Sequence, residues 1–266
     1  MSKICIIGLG NMGEAIVNVL LRTGTPKEHI TGIEAREDRQ AYMLDRYAIS
    51  VSADLATSSD DIDYFILAVK PQDSRKILQT MAGILRADQI CVSIMAGITI
   101  GNILSVLGKP AKVVRAMPNI AVKVAKGAIG ITFNDFVSTN DKKNVIELFS
   151  TLGTVVEVDE EMMDAVTALG GSGPGFFLLF LEAMIDGGVK MGLSRDKARA
   201  LTLQVVQGIS AMLEEENHHL TVLREIITSP GGTTIAGLAV LEERAFKGSV
   251  MRALEEAKKR AKELSL

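Results

Sequence analysis

The chain of 266 residues contains no tryptophan, three tyrosines and two cysteines. Aromatic residues make up only 4% of it, too few to build a stacking platform for nucleic-acid bases. No sign of charge dominates: the net charge of −3 gives no electrostatic reason to expect nucleic acid or an anionic membrane as partner. Cys5 and Cys91 lie in short apolar runs without metal-ligand spacing, so they read as buried free thiols in a reducing compartment, and no metal site is expected. His29, His218 and His219 read as loop or surface residues and supply no placed acid catalyst. The N-terminal apolar run is too short for a signal peptide and meets a glycine turn at once. The most apolar stretch, Gly175 to Ile185, contains Glu182 and precedes Asp186; it reads as a buried helix too short to span a bilayer. A cytoplasmic protein is expected.

What the chain does have is concentrated at its start. Ile4-Cys5-Ile6-Ile7 reads as a strand buried on both faces. Gly8-Leu9-Gly10-Asn11-Met12-Gly13 follows, a G-x-G-x-x-G, and then an amphipathic helix closed by Gly24. Gly8 permits a sharp turn off the strand, Gly10 leaves the backbone open to a pyrophosphate, and Gly13 lets helix and strand pack closely. The helix N-terminus offers N–H groups and a positive dipole end to phosphates. Strand before and helix after are the context in which this motif signals dinucleotide binding.

Strands and helices alternate up to about residue 160, which predicts an α/β Rossmann domain, a doubly wound and mostly parallel sheet. Beyond it the strand signal stops. Gly170-Gly171-Ser172-Gly173-Pro174-Gly175 reads as an interruption, followed by long helices with wide apolar faces. Residues 1–160 are expected to form the NAD(P)-binding domain and residues 161–266 an all-α domain whose apolar surface a dimer interface would cover.

Ligands of such sheets bind at the carboxyl ends of the strands. Glu34, at the end of the second strand, is spaced to hold adenosine ribose hydroxyls and argues for NAD; Arg36 suits a 2′-phosphate and argues for NADP. Ala68-Val69-Lys70-Pro71, Ile94-Met95-Ala96 and Asn119 end further strands and are candidate cofactor contacts. Far downstream, Ser229-Pro230-Gly231-Gly232-Thr233-Thr234 combines two glycines, several hydroxyls and a helix start, an anion nest suited to a small carboxylate; the plainer reading is an interhelical turn with a Thr cap.

These residues, with Ala68-Val69-Lys70-Pro71-Gln72, Val114-Arg115-Ala116-Met117-Pro118-Asn119 and Leu169-Gly170-Gly171-Ser172-Gly173-Pro174, resemble pyrroline-5-carboxylate reductase over essentially the whole chain. The resemblance implies reduction of the cyclic imine 1-pyrroline-5-carboxylate to L-proline. It implies NADPH as the common cofactor, with NADH used by some members, and homodimers that often assemble into rings. It assigns the substrate carboxylate to Ser229, Gly231, Gly232, Thr233 and Thr234, with the Thr234 hydroxyl near the ring nitrogen or the carboxylate and Glu225 as the acidic position upstream. One departure is Asn217, where the family often carries Glu. Two other readings compete: a β-hydroxyacid dehydrogenase, which would need a helical catalytic lysine for which Lys190 is the nearest candidate, and a non-catalytic dinucleotide-binding regulator.

Overall fold

A computed structural model describes residues 2–56, 61–216 and 219–264. Two compact units divide it: residues 1–172 together with 256–266, and residues 173–255.

The first unit is built on eight strands: β1 (Ile4–Ile7), β2 (Ile30–Ile33), β3 (Ser50–Ser52), β4 (Tyr64–Leu67), β5 (Ile90–Ser93), β6 (Lys112–Met117), β7 (Gly127–Phe133) and β8 (Gly153–Glu157). They form one sheet in the order β3-β2-β1-β4-β5-β6-β7-β8. Every pairing is parallel except β6 with β7, where Ala116 faces Ile131 in antiparallel register. The strand order reverses direction between β1 and β4, the switch point at which α/β sheets bind ligands. β3 escapes the sequence reading because Ser-Val-Ser has no apolar run; it earns its place as an edge strand through backbone pairing with β2.

The central strands are buried on both faces, and alternate residues serve opposite layers. Ile4 and Ile6 of β1 pack into one core with Ile16 and Leu20 of α1 (Asn11–Arg22), Met43 of α2 (Glu37–Tyr47) and Phe149 of α5 (Thr139–Ser150). Cys5 and Ile7 pack into the other with Leu78 and Met81 of α3 (Ser74–Ile84) and Ile103 and Leu107 of α4 (Ile100–Leu107). Both thiols are fully buried in that second core, and desolvation pushes each up to about 12, so neither is a nucleophile at neutral pH.

Capping boxes define two helix starts: Thr99 with Asn102 at α4, and Ser138 with Asp141 at α5. Asp141 also meets the Lys112 ammonium at 2.9 Å. Burial alone would raise the Asp141 carboxyl, but the hydrogen bonds from Lys112 and Ser138 outweigh it and hold it below its ordinary 3.8. A depressed carboxyl contributes stability that is present above its unfolded value and lost as pH falls through its folded one. Thermal unfolding of wild type between pH 6 and pH 2.5 should therefore steepen below about pH 4, and Asp141→Asn should flatten that loss. Equal acid slopes in the two proteins would contradict the assignment.

The second unit is helical: α7 (Gly173–Lys190), α8 (Arg195–Glu216), α9 (Leu220–Ile226), α10 (Thr233–Glu243) and the start of α11 (Phe246–Leu264), whose last turns belong to the first unit. Two expectations about this region change. The glycine-rich segment does not break the chain: α6 (Met163–Val166), a π-helical stretch Thr167–Ser172 and α7 run on as one helix from Glu160 to Lys190. Pro174 has no N–H for the carbonyl four residues back, that of Gly170. Asn119 Nδ2 donates to this carbonyl at 3.0 Å, so a side chain from another element offsets the hydrogen bond the proline removes. The two compact units meet along this helix at Ser172/Gly173. Val166 lies over β7, where a Cβ on Gly130 would stand 2.5 Å from Val166 Cγ1, and this packing ties the helix's first turns to the sheet.

The second change concerns α7, expected to be buried. Phe177, Leu178 and Leu179 are about half or more exposed in the single chain. Residues 160–190 are long and apolar enough, by length and composition, to cross a membrane, though they also hold Glu182 and Asp186.

Candidate active site

β1 ends on Gly8, whose φ of +95° only glycine adopts without strain. A Cβ there would also stand 2.9 Å from the Ala68 carbonyl, so the β1 and β4 ends are in close contact at the switch point. A Cβ on Gly13 would meet the Gly8 carbonyl oxygen at 2.0 Å, which makes that glycine a packing requirement. Gly10 is different: a Cβ on it would meet nothing within 4 Å, and its backbone is extended. Space in front of Gly10, at the uncapped start of α1, is the cradle a pyrophosphate needs. Asn11 is exposed beside it and Met12 half-buried. The residues present thus fit a dinucleotide.

Leu9 between these glycines is clamped. Its side chain is buried against Gly32 of β2. Its N–H donates to Glu34 Oε2 at 3.2 Å, and its carbonyl accepts from Arg39 Nε at 2.7 Å. Glu34 Oε1 accepts from the Arg36 N–H at 3.2 Å and from Arg36 Nε at 3.4 Å. Arg39 also donates to Glu14, which accepts from the hydroxyls of Tyr42 and Tyr47. Burial would raise the Glu14 carboxyl, but bonds from Arg39, Tyr47 and Tyr42 hold it below its usual range. Sequence reasoning missed Arg39 and Glu14. They stand 25 residues apart with β2 between them, which leaves no local pattern, and only the parallel crossover brings them together.

The other strand ends are arranged around the same edge. Ala68 and Val69 are half-buried, Lys70 is exposed, and Pro71 opens a short 3-10 turn before α3. Ile94 and Met95 are buried, one in each core, and their backbone with Ala96 lies at the β5 end. Asn119, after β6, is buried with its amide engaged: Oδ1 accepts from Ala121 N at 3.2 Å and Ala128 N at 3.3 Å while Nδ2 holds Gly170. Asn119→Ala should leave these three backbone groups without that partner and cost about 3 kcal/mol. Denaturant unfolding checks this; a midpoint unchanged from wild type would mean that water replaces the amide.

In the second unit, α10 begins at Gly232, which has no side chain to cap it. The turn before it is tight: Gly231 has φ +66°, Gly232 N–H donates to the Ser229 carbonyl at 3.1 Å, and a Cβ on Gly232 would stand 2.4 Å from Ser229 Oγ. Thr228 spends its hydroxyl on the Arg224 carbonyl at 2.6 Å. Among the described residues, the hydroxyls of Ser229, Thr233 and Thr234 have no hydrogen-bond partner. A Thr cap does not explain this loop, because the cap position is glycine. What remains is a helix start with unspent N–H groups and unspent hydroxyls. Beside it, Arg224, Glu225, Thr228, Ile235, Leu238 and Glu242 line a cavity of about 270 Å³ between α9 and α10. Asn217 and His218 lie outside the described residues, His219 accepts from Thr221 N at 3.3 Å, and Lys190 is the exposed last residue of α7. His29 is half-buried in the 3-10 turn between α1 and β2.

Comparison with known proteins meets this geometry directly. The pyrroline-5-carboxylate reductase of Methanosarcina acetivorans is 38% identical over 264 residues, covering 98% of this chain and 97% of its own. That of Synechocystis is 39% identical over 261 residues, 97% of each. The chain belongs to the pyrroline-5-carboxylate reductases. Its residues 160–264 match the family profile for pyrroline-5-carboxylate reductase dimerisation, and residues 3–97 match the NADP oxidoreductase, coenzyme F420-dependent profile. Solved reductases carry the same fold. That of Coxiella burnetii superposes with a TM-score of 0.94 at 32% identity, covering 100% of this chain and 99% of its own. That of Plasmodium falciparum, a crystal structure with NADP bound, gives 0.90 at 31% identity, covering 100% and 98%. As a reductase of this family the chain is a dinucleotide-dependent oxidoreductase whose helical part is the dimerisation region.

Proposed function

We propose that the chain reduces the C=N bond of 1-pyrroline-5-carboxylate to give L-proline, the last step of proline synthesis. The observation that carries this reading is the start of α10, where a glycine cap leaves backbone N–H groups and three hydroxyls available to an anion. Ser229, Gly231, Gly232, Thr233 and Thr234 hold the substrate carboxylate there, with Glu225 lining the adjoining cavity. The Thr234 hydroxyl stands at the ring nitrogen. An iminium accepts hydride better than a neutral imine, so a donor at that nitrogen favours the reaction. Gly8, Leu9, Gly10, Asn11, Met12 and Gly13 hold the pyrophosphate of a reduced nicotinamide dinucleotide. Glu34 and Arg36 face its adenosine end, and the backbone at 68–71 and 94–96 lines the remainder, with Asn119 keeping the β6 end in place. When bound, the dinucleotide supplies the hydride; the chain's part is to hold donor and acceptor carbons in reacting geometry.

The exposed apolar residues of α7, α8 and α10 are covered by a second copy of the chain, and dimers assemble further into rings, in the cytoplasm. One assay tests the activity. NADH and NADPH oxidation is followed with pyrroline-5-carboxylate and with a panel of hydroxyacids in the reverse direction. Turnover with pyrroline-5-carboxylate alone is expected; turnover with hydroxyacids alone would overturn the reading.

A further inference from the structure

We infer that this chain selects NADH over NADPH and that Glu34, held by the phosphate loop itself, makes the choice. The inference rests on the proposed reading of the Gly8–Gly13 cradle as the dinucleotide site.

The adenosine ribose of a dinucleotide in such a cradle reaches the end of β2. That end is Glu34, whose side chain is only 11% exposed. Its carboxylate is pinned from two sides, by Leu9 N–H on one oxygen and by Arg36 N–H and Nε on the other. A carboxylate has about four acceptor positions and three are taken, so one ribose hydroxyl can join on Oε2 and a second can displace the long Arg36 Nε contact, with the Leu9 bond kept. A 2′-phosphate brings acceptors only, with negative charge, against a carboxylate that cannot swing away without releasing the loop. Repulsion of that kind excludes the wrong partner more sharply than added attraction selects the right one.

NADPH needs a cation to offset this, and each arginine at hand already faces a carboxylate. Arg36 sets only its Nε 3.4 Å from Glu34, so a phosphate drawn to this arginine would lie beside that carboxylate. Arg39 spends its own on the Leu9 carbonyl and Glu14. The first turn of α2 adds Glu37 and Asp38, so charge at this end of the sheet runs against a phosphate. Glu34 thereby has two tasks: it sets the loop that takes the pyrophosphate, and it reads the neighbouring ribose.

Dissociation constants of NADH and NADPH, measured by nicotinamide fluorescence with the full chain and no substrate, test this apart from the reductase activity. Wild type should bind NADH at least about tenfold more tightly. Glu34→Gln keeps the shape and removes the charge, and should shift the NADH-to-NADPH ratio toward NADPH by about tenfold or more. Arg36→Gln should weaken NADPH by less than about threefold, since that exposed arginine stands beside the Glu34 carboxylate. Equal or tighter binding of NADPH by wild type would overturn the inference, as would an unchanged ratio in a folded Glu34→Gln. A large NADPH loss in Arg36→Gln would do so too, by showing that Arg36 carries the phosphate. If Glu34→Gln fails to fold, the wild-type ratio and Arg36→Gln still decide. NADH selectivity without pyrroline-5-carboxylate turnover would sink the reductase reading and leave this one standing.

Discussion

Gly10→Asp folds with the wild-type melting temperature, or one slightly higher, and binds either dinucleotide at least about a hundredfold more weakly. The two halves of this result come from one position. Gly10 has an extended backbone that any residue adopts, and a Cβ there meets nothing. It is also the cap position of α1, where aspartate is among the best residues and glycine slightly poorer. An aspartate side chain would take the N–H groups that a pyrophosphate needs and place a like charge against it. The neighbouring control is Gly13→Ala, where the added carbon would stand 2.0 Å from the Gly8 carbonyl oxygen. That variant should lose about 3 kcal/mol or more, because backbone rather than a flexible side chain must move. Thermal melts and fluorescence titrations of both proteins separate fold from function. A marked drop in the melting temperature of Gly10→Asp would show that the space before Gly10 is not open. Undiminished affinity would show that the phosphates lie elsewhere.

Thr234→Ala has the second large effect, on the other side of the reaction. Its kcat/KM for pyrroline-5-carboxylate should fall about a hundredfold, with NADH affinity within about twofold of wild type. Stability should hardly change, because the hydroxyl has no partner among the described residues and alanine suits a helix better than threonine. Steady-state kinetics and a separate cofactor titration check the split. Weakened cofactor binding with normal turnover would place Thr234 in the wrong site.

Much of the first unit is legible along the chain because its signals are local. Ile4 to Gly13 carries strand, turn and helix start in ten consecutive residues, and each glycine there has a different steric reason that the motif encodes. The capped starts of α4 and α5 are written in pairs three residues apart. β3 was not legible, since a three-residue polar edge strand is chosen by its neighbour's backbone. Nor was the continuity of the helix through Gly170–Gly175. Glycine and proline weaken a helix locally, and a hydrogen bond from Asn119, brought in from the end of β6, offsets the one that Pro174 removes.

The candidate site divides along the same line. Sequence alone determined that there is a glycine-rich strand-to-helix turn at the front of the chain and a hydroxyl- and glycine-rich helix start near its end, because both need only adjacent residues. Tertiary structure decided which groups are still unspent. It engaged Asn119 with three backbone partners, clamped Leu9 between Glu34 and Arg39, and left the α10 start without a cap. Whether a polar group is available to a ligand depends on what else lies within about 3 Å of it, and that distance is set by chain crossings rather than by sequence neighbours.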